Sequence, residues 1–367
     1  MAEIRRFKLM RFLTSNVELL AYQITEHTGK AGEHYITRTR KEWAWMFKSA
    51  VLGGVLVAVI ATIKMVAAKL HLPPGPEALT YGLIYGVGFV VLHTMGATLA
   101  TKQPAMTASK LAASLDEAKT SHSAMDNLAE MIVRTVRSQM AALLGNFIFA
   151  FPAAILLSLP FFYFGIPIMG PEKAKLALDS LHGLRSLSFF YAALAGVCLF
   201  ISGLLAGFAD NWFVFNHVGS RLGQSNVLRR FVGSQNLERA VQTIDHNLGF
   251  WVGNMSLGLM LGSMAALGTI TGLPLDVRHI TFSSAQFGAA LMDLKFQVPL
   301  SLAIGVGVSV FMMGLINLTV SFSLTLFVVV KSRRIRFSQT PLLLKLLLLR
   351  LRSRPLEFVF PAKDPAQ

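Results

Sequence analysis

Residues 273–296 read "LPLDVRHITFSSAQFGAALMDLKF", and their placement decides the architecture. They lie between apolar runs at 251–271 and 298–330, yet carry an Arg278-His279 pair and then a polar but apolar-studded segment. The part "TFSSAQFGAALMDL", 281–294, has a helical composition but only 14 residues. As an α-helix it reaches about 21 Å, short of the roughly 30 Å of hydrocarbon in a bilayer. It is therefore not a span. Two placements fit: a helix lying on the outer surface, or a re-entrant helix packed between the spans, where broken backbone is tolerated if buried in protein or lining water. Ser283, Ser284 and Gln286 supply polar groups that a lipid-facing side disfavours, and Phe282, Phe287, Ala289, Ala290 and Leu291 supply too much apolar surface for a hydrated loop. Arg278 and His279 are expected at the outer mouth of any recess, with Asp276 as a rim partner for Arg278.

The rest of the chain supports a membrane reading. Of 367 residues 53% are apolar and 14% charged, too hydrophobic and too charge-poor for an ordinary cytosolic domain of this size. Apolar runs predict six crossings, at 49–70, 78–100, 141–165, 187–209, 251–271 and 298–330. The last is long enough that it must tilt, extend into the cytoplasm or break near Gly314. Gly53 and Gly54, Gly82, Gly86 and Gly88, Gly203 and Gly207, and Gly258 and Gly262 recur inside these runs. Small-xxx-small spacing of this kind lets helices approach closely where lipid offers no hydrophobic drive. The single Cys198 lies in an apolar run and reads as a core or lipid-facing residue. The N-terminus, "MAEIRRFKLMRFLTSNVELL", lacks the long apolar core and small-residue site of a cleaved signal peptide.

The formal charge of +15 is a matter of position. Segments 1–48, 101–140, 210–250 and 331–367 hold 27 Lys and Arg, against 5 in 71–77, 166–186 and 272–297. The remaining Lys64 and Lys69 sit toward the outer end of the first span, where long stems snorkel. Basic loops face the cytoplasm, so both termini and the long polar loops are expected there, in a bacterial inner membrane. The expected organisation is a pre-membrane helical segment at 1–48, a helical membrane domain at 49–330 with cytoplasmic helical loops at 101–140 and 210–250, and a basic tail at 331–367. The loop at 101–140 has Ala, Leu and Met at helical spacing, with Thr101 and Pro104 suited to a helix start. In the tail, "PLLLKLLLLRLRSRPLEF", 341–358, is punctuated by Lys345, Arg350 and Arg352 and reads as an interfacial helix rather than a seventh span. The fold class is all-α: a polytopic helical membrane protein with about six transmembrane helices, a short re-entrant or interfacial helix and cytoplasmic amphipathic helices.

Catalytic motifs are scarce. The sequence has no Walker-type loop, HExxH, paired-Cys spacing or GxSxG elbow, and no cofactor or metal is expected. "HGLR", His182–Arg185, with Tyr191 nearby, imitates a tyrosine-recombinase fragment, but it falls in a short outer loop and the start of a span. Strand exchange needs a soluble basic cleft that reaches phosphates. Intramembrane polar residues are functional candidates by default. His93 is one, as helix coupler or proton relay, whereas Asn146, Asn254 and Asn317 read as interhelical hydrogen-bond partners.

Four stretches together carry a resemblance: "NVELLAYQITEHTGKAGEHYITRTRKEW" (16–43), "ATLATKQPAMTASKLA" (97–112), "GLPLDVRHITFSSAQFGAA" (272–290) and "NLTVSFSLTLFVVVKSRR" (317–334). In order and spread over most of the chain, they resemble a family of bacterial multi-pass membrane proteins that carries the name "site-specific recombinase". The resemblance implies an inner-membrane protein of Gram-negative bacteria, usually with a further soluble N-terminal region, of which this chain is similar to the C-terminal membrane half. It carries across no catalytic residues. From the matching stretches Glu33, His34, Tyr35, Lys102, Gln103, Arg278, His279 and Ser283 are candidate functional positions, joined by His93 and Gln286. The expected role is a membrane scaffold or envelope-associated factor; a transporter or channel with a polar recess near 278–288 is the alternative, and DNA recombination or binding at the membrane a third. Membrane lipids, a second copy of the chain and envelope proteins are the partners expected, rather than specific nucleic acid.

Overall fold

The computed structural model describes residues 36–99, 122–332 and 340–361. All elements among them are helices: α1 (Arg40–Ala67) with a 3-10 turn at Ala68–Leu70, α2 (Pro74–Thr94), α3 (His122–Tyr163), α4 (Pro171–Leu181), α5 (Ser188–Phe215), α6 (Val218–Gly223), α7 (Asn226–Val232), α8 (Ser234–Thr271), α9 (Ile280–Asp293), α10 (Leu300–Ser332) and α11 (Thr340–Ser353). Six of these, α1, α2, α3, α5, α8 and α10, are long and apolar enough to cross a membrane. The protein is an all-α chain with six candidate spans.

Local chemistry explains why several helices outrun their apolar cores. α1 starts at Arg40 because Thr39 and Glu42 form a capping box, the Thr39 hydroxyl accepting from the Glu42 N–H at 3.2 Å. α3 enters through the amphipathic residues after His122 and runs unbroken into its apolar part, past Pro152 and Pro160. α8 starts at Ser234, behind Gly233, with a polar front that continues directly into the span. α10 passes Gly314 without a break; a methyl there would strike Ile280, so the glycine serves a close contact with α9.

α4 is an element that the apolar runs do not reveal. Its Ala174, Ala177, Leu178 and Leu181 are buried at the i, i+3, i+4, i+7 spacing of a one-sided helix, and they join α9 and α10 in the largest apolar cluster.

Two kinds of contact assemble the bundle. α2 and α8 meet backbone to backbone: a methyl on Gly258 would land on the Gly86 nitrogen and one on Gly262 on the Gly82 nitrogen. α1 and α3 meet through Gly53 and Gly54, which leave room for Asn146. The Asn146 amide donates to Ala50 O and Thr98 O, both at 2.9 Å, and its oxygen accepts from the Thr281 hydroxyl at 3.0 Å. Asn317 does the same on the other side, accepting from Ile280 N at 3.1 Å and donating to Ala192 O at 2.7 Å and Arg278 O at 3.0 Å. These two amides hold the first turn of α9 between α3 and α10.

α9 itself is buried: eleven of its 14 residues are inaccessible. The helix is thus enclosed by its protein neighbours along most of its length. The cause is the small and polar composition of the helix. Gly288 sits against the Phe151 carbonyl and Ser284 donates to Phe147 O at 2.8 Å. At the far end the Asp293 carboxylate accepts from the backbone N–H groups of Ile168, Met169 and Gly170 at 3.1, 2.7 and 3.0 Å, tying α9 to the entrance of α4.

Candidate functional site

A recess of about 180 Å³ opens at the end of the bundle that carries the short links. Its walls come from α1, α2, the α8–α9 link and α9. On α2, Glu77, Tyr81 and Tyr85 line it at i, i+4, i+8, the spacing that stacks side chains along one face of a helix. Lys64 on α1 places its ammonium 4.7 Å from the centre of the Tyr81 ring, a cation–π distance. The Tyr81 hydroxyl faces the Glu77 carboxylate.

The opposite wall is the stretch that precedes and begins α9. Arg278 pairs with Asp276 at 2.9 Å, and Asp276 also accepts from the Val277 N–H at 2.8 Å. The backbone of Arg278 is pinned at both ends, its N–H to Tyr191 O at 3.2 Å and its carbonyl to Asn317. Its guanidinium Nε is buried and has no hydrogen-bond partner. His279, Ser283 and Gln286 follow at i, i+4, i+7 and face the same space. The floor is aromatic: Phe282 lies 4.3 Å from the Tyr85 ring and 5.7 Å from Phe89, centre to centre. Behind them the glycine seam of α8 supplies Gly262 and Ala265.

At the first turn of α9, which borders this space, two N–H groups are already engaged. Ile280 N is taken by Asn317, and Thr281 N turns back to His279 Nδ1 at 3.4 Å. An anion in the recess would therefore meet side chains, Lys64 and Arg278, rather than a bare helix terminus.

Of the positions singled out in the sequence, Arg278, His279, Ser283 and Gln286 come together here. One detail differs: His279 is 2% exposed, a buried cap rather than a residue at an open mouth, because α9 begins inside the bundle. His93 lies elsewhere, on the last turn of α2, stacked on Phe250 with ring centres 4.2 Å apart. Glu33, His34, Tyr35, Lys102 and Gln103 fall outside the described residues. The pattern in the sequence missed Lys64, Glu77, Tyr81 and Tyr85. A lone lysine in an apolar helix and the repeat in "EALTYGLIY" were the available signals. Lys64 was expected to snorkel toward water and instead turns onto the Tyr81 ring, whereas Lys69 reaches Pro167 O at 2.8 Å.

Other features are structural. His182 packs against Gly305, Arg185 pairs with Asp179 at 2.9 Å, and the Tyr191 carbonyl serves Arg278, each in a structural contact of its own. Among the described residues no group of three or more His, Cys, Asp or Glu is placed to hold a metal ion.

A family model described as "Site-specific recombinase" matches residues 1–361. No curated protein and no solved structure matches the chain.

Proposed function

We propose, from the premise that the chain belongs to the Site-specific recombinase family, that it is a multi-pass protein of the bacterial inner membrane that takes up a small polar solute from the outer side. The observation that carries this reading is the recess, where Lys64, Glu77, Asp276 and Arg278 converge beneath the ends of apolar helices. Four charges in a space bounded by helix ends cost several kcal/mol in desolvation, and ionisable groups in such a position mark substrate or ion pathways. The split of 27 to 5 in Lys and Arg supports an outward-facing recess and cytoplasmic termini. α9 then acts as a re-entrant helix. Its aromatic floor separates the recess from the apolar packing of Val57, Leu92 and Leu257 beneath it, so passage would require Phe282 to move, as in a carrier with alternating access.

A scaffold role is the second reading, favoured by the exposed apolar side chains on α7, where Phe231 is 84% exposed and Val227 65%. The activity in the family's name is a third. Its chemistry would need His182, Arg185 and Tyr191 to reach DNA phosphates together, and they belong to the links that bear few basic residues.

Thiol labelling tests the recess. In a Cys198→Ala background, Gln286→Cys in intact cells should react slowly with an impermeant reagent added from outside, Leu184→Cys quickly and Ala289→Cys not at all. Equal reaction at all three would remove the recess, and labelling of Gln286→Cys only after permeabilisation would reverse its side. Strand exchange lost on Tyr191→Phe would restore the recombinase reading.

A further inference from the structure

We propose that the recess binds a small zwitterion of the α-amino-acid type, its carboxylate on Lys64 and its ammonium toward Glu77. The inference rests on the solute-binding reading and names the class of solute.

The argument is one of unused charge. Asp276 and Arg278 neutralise each other at 2.9 Å. Lys64 and Glu77 line the same space, yet Lys64 meets the face of Tyr81 and not a carboxylate, and Glu77 meets the Tyr81 hydroxyl and not a cation. Among the described residues neither belongs to an ion pair. In a confined, weakly polar space opposite charges attract strongly, so Lys64 and Glu77, both beside Tyr81 yet not paired with each other, suit a bridging ligand of reversed polarity.

Charge balance selects the zwitterion over a simple anion. The side chains of Lys64 and Arg278 balance those of Glu77 and Asp276 in formal charge. A neutral dipolar ligand preserves that balance, whereas a monocarboxylate leaves Glu77 facing added negative charge. Size agrees as well, since about 180 Å³ lies below the 300–1,000 Å³ of drug-sized sites. The apolar body of such a ligand would rest on Tyr85 and Phe282, the ring pair that forms the floor.

The test uses the full chain in lipid nanodiscs and three matched panels: α-amino acids, the same acids without the amine, and the same amines without the carboxyl. Binding is read by thermal shift and calorimetry. At least one amino acid should bind about tenfold or more tightly than either of its singly charged counterparts. Lys64→Met should remove the preference over the amine and Glu77→Gln the preference over the acid, with each variant as thermally stable as the parent without ligand. Equal or tighter binding of an acid or an amine overturns the zwitterion but keeps a solute site. Absence of binding in every panel, together with no labelling of Gln286→Cys from outside, overturns the recess as a solute site too. Amino-acid binding that survives both substitutions overturns the assignment to these residues.

Discussion

Asn317 and Asn146 each hold three groups with one side chain, and those groups belong to four stretches of chain that are remote in sequence. Inside a bundle with no competing water, an unmatched amide or carbonyl has nowhere else to turn. Replacing Asn317 by leucine should strand Ile280 N and the Ala192 and Arg278 carbonyls, and lower stability by about 1–3 kcal/mol. Unfolding in bicelles followed by intrinsic fluorescence measures it, and a loss under about 0.5 kcal/mol would mean that the three bonds are not made in the folded protein. The structural role of both amides was readable from their apolar surroundings. Lys64 and Glu77 were not, because nothing in a single helix says which neighbour its stripe will face. Their meeting at one cavity is tertiary information, created by the α1–α2 hairpin, whose link turns at His71 with a left-handed φ of 47°.

Element by element, length and periodicity were the informative signals. The 14-residue span of α9 was visible because its polar groups recur within a helical stretch bounded by Pro274 and Pro299. Its burial could not be decided alone, since the small residues that let α3 approach it, such as Ala285 and Gly288, also suit a surface helix. α4 was hidden by brevity, its apolar stripe falling inside a segment with Glu172, Lys173, Lys175 and Asp179. The α2–α8 seam was foreshadowed by glycine spacing, although partner choice was not. It gives a direct comparison within one element pair. Gly258→Leu must push backbone apart at Gly86, whereas Gly75, on the first turn of α2, has open space around it. Gly258→Leu should cost at least about 2–3 kcal/mol as an overpacked contact, and Gly75→Ala should be neutral or stabilise by up to about 1 kcal/mol. Thermal denaturation of both in the same detergent checks the difference, and comparable effects would show that the seam is loose.

On the scale of the whole molecule, the described structure separates a basic end from an end of short links. Trp43 at the start of α1 donates to Val359 O at 2.9 Å and packs on Phe360, and Arg350 pairs with Glu130. The chain after α11 thus docks on the same end as the front of α1 and α3. Under the charge rule this end is cytoplasmic, so Ser225→Cys in the Cys198→Ala background should label only after permeabilisation, and Ser186→Cys in intact cells. The reverse pattern would invert the protein. Duplex DNA should bind weakly and lose affinity steeply with salt, because dispersed lysines and arginines release counterions without reading bases; a sequence-specific complex stable at about 0.3 M salt would contradict this. The glycine seam has a mechanical consequence for such a molecule. α2 and α8 touch main chain to main chain at Gly82–Gly262 and Gly86–Gly258, so the seam resists sliding at those two points. α9 is clamped by Asn146, Asn317 and Asp293, and the end of α1 is moored by Lys69 on Pro167 O, so an occupant would be met by side-chain rearrangement within a braced frame rather than by a sliding helix.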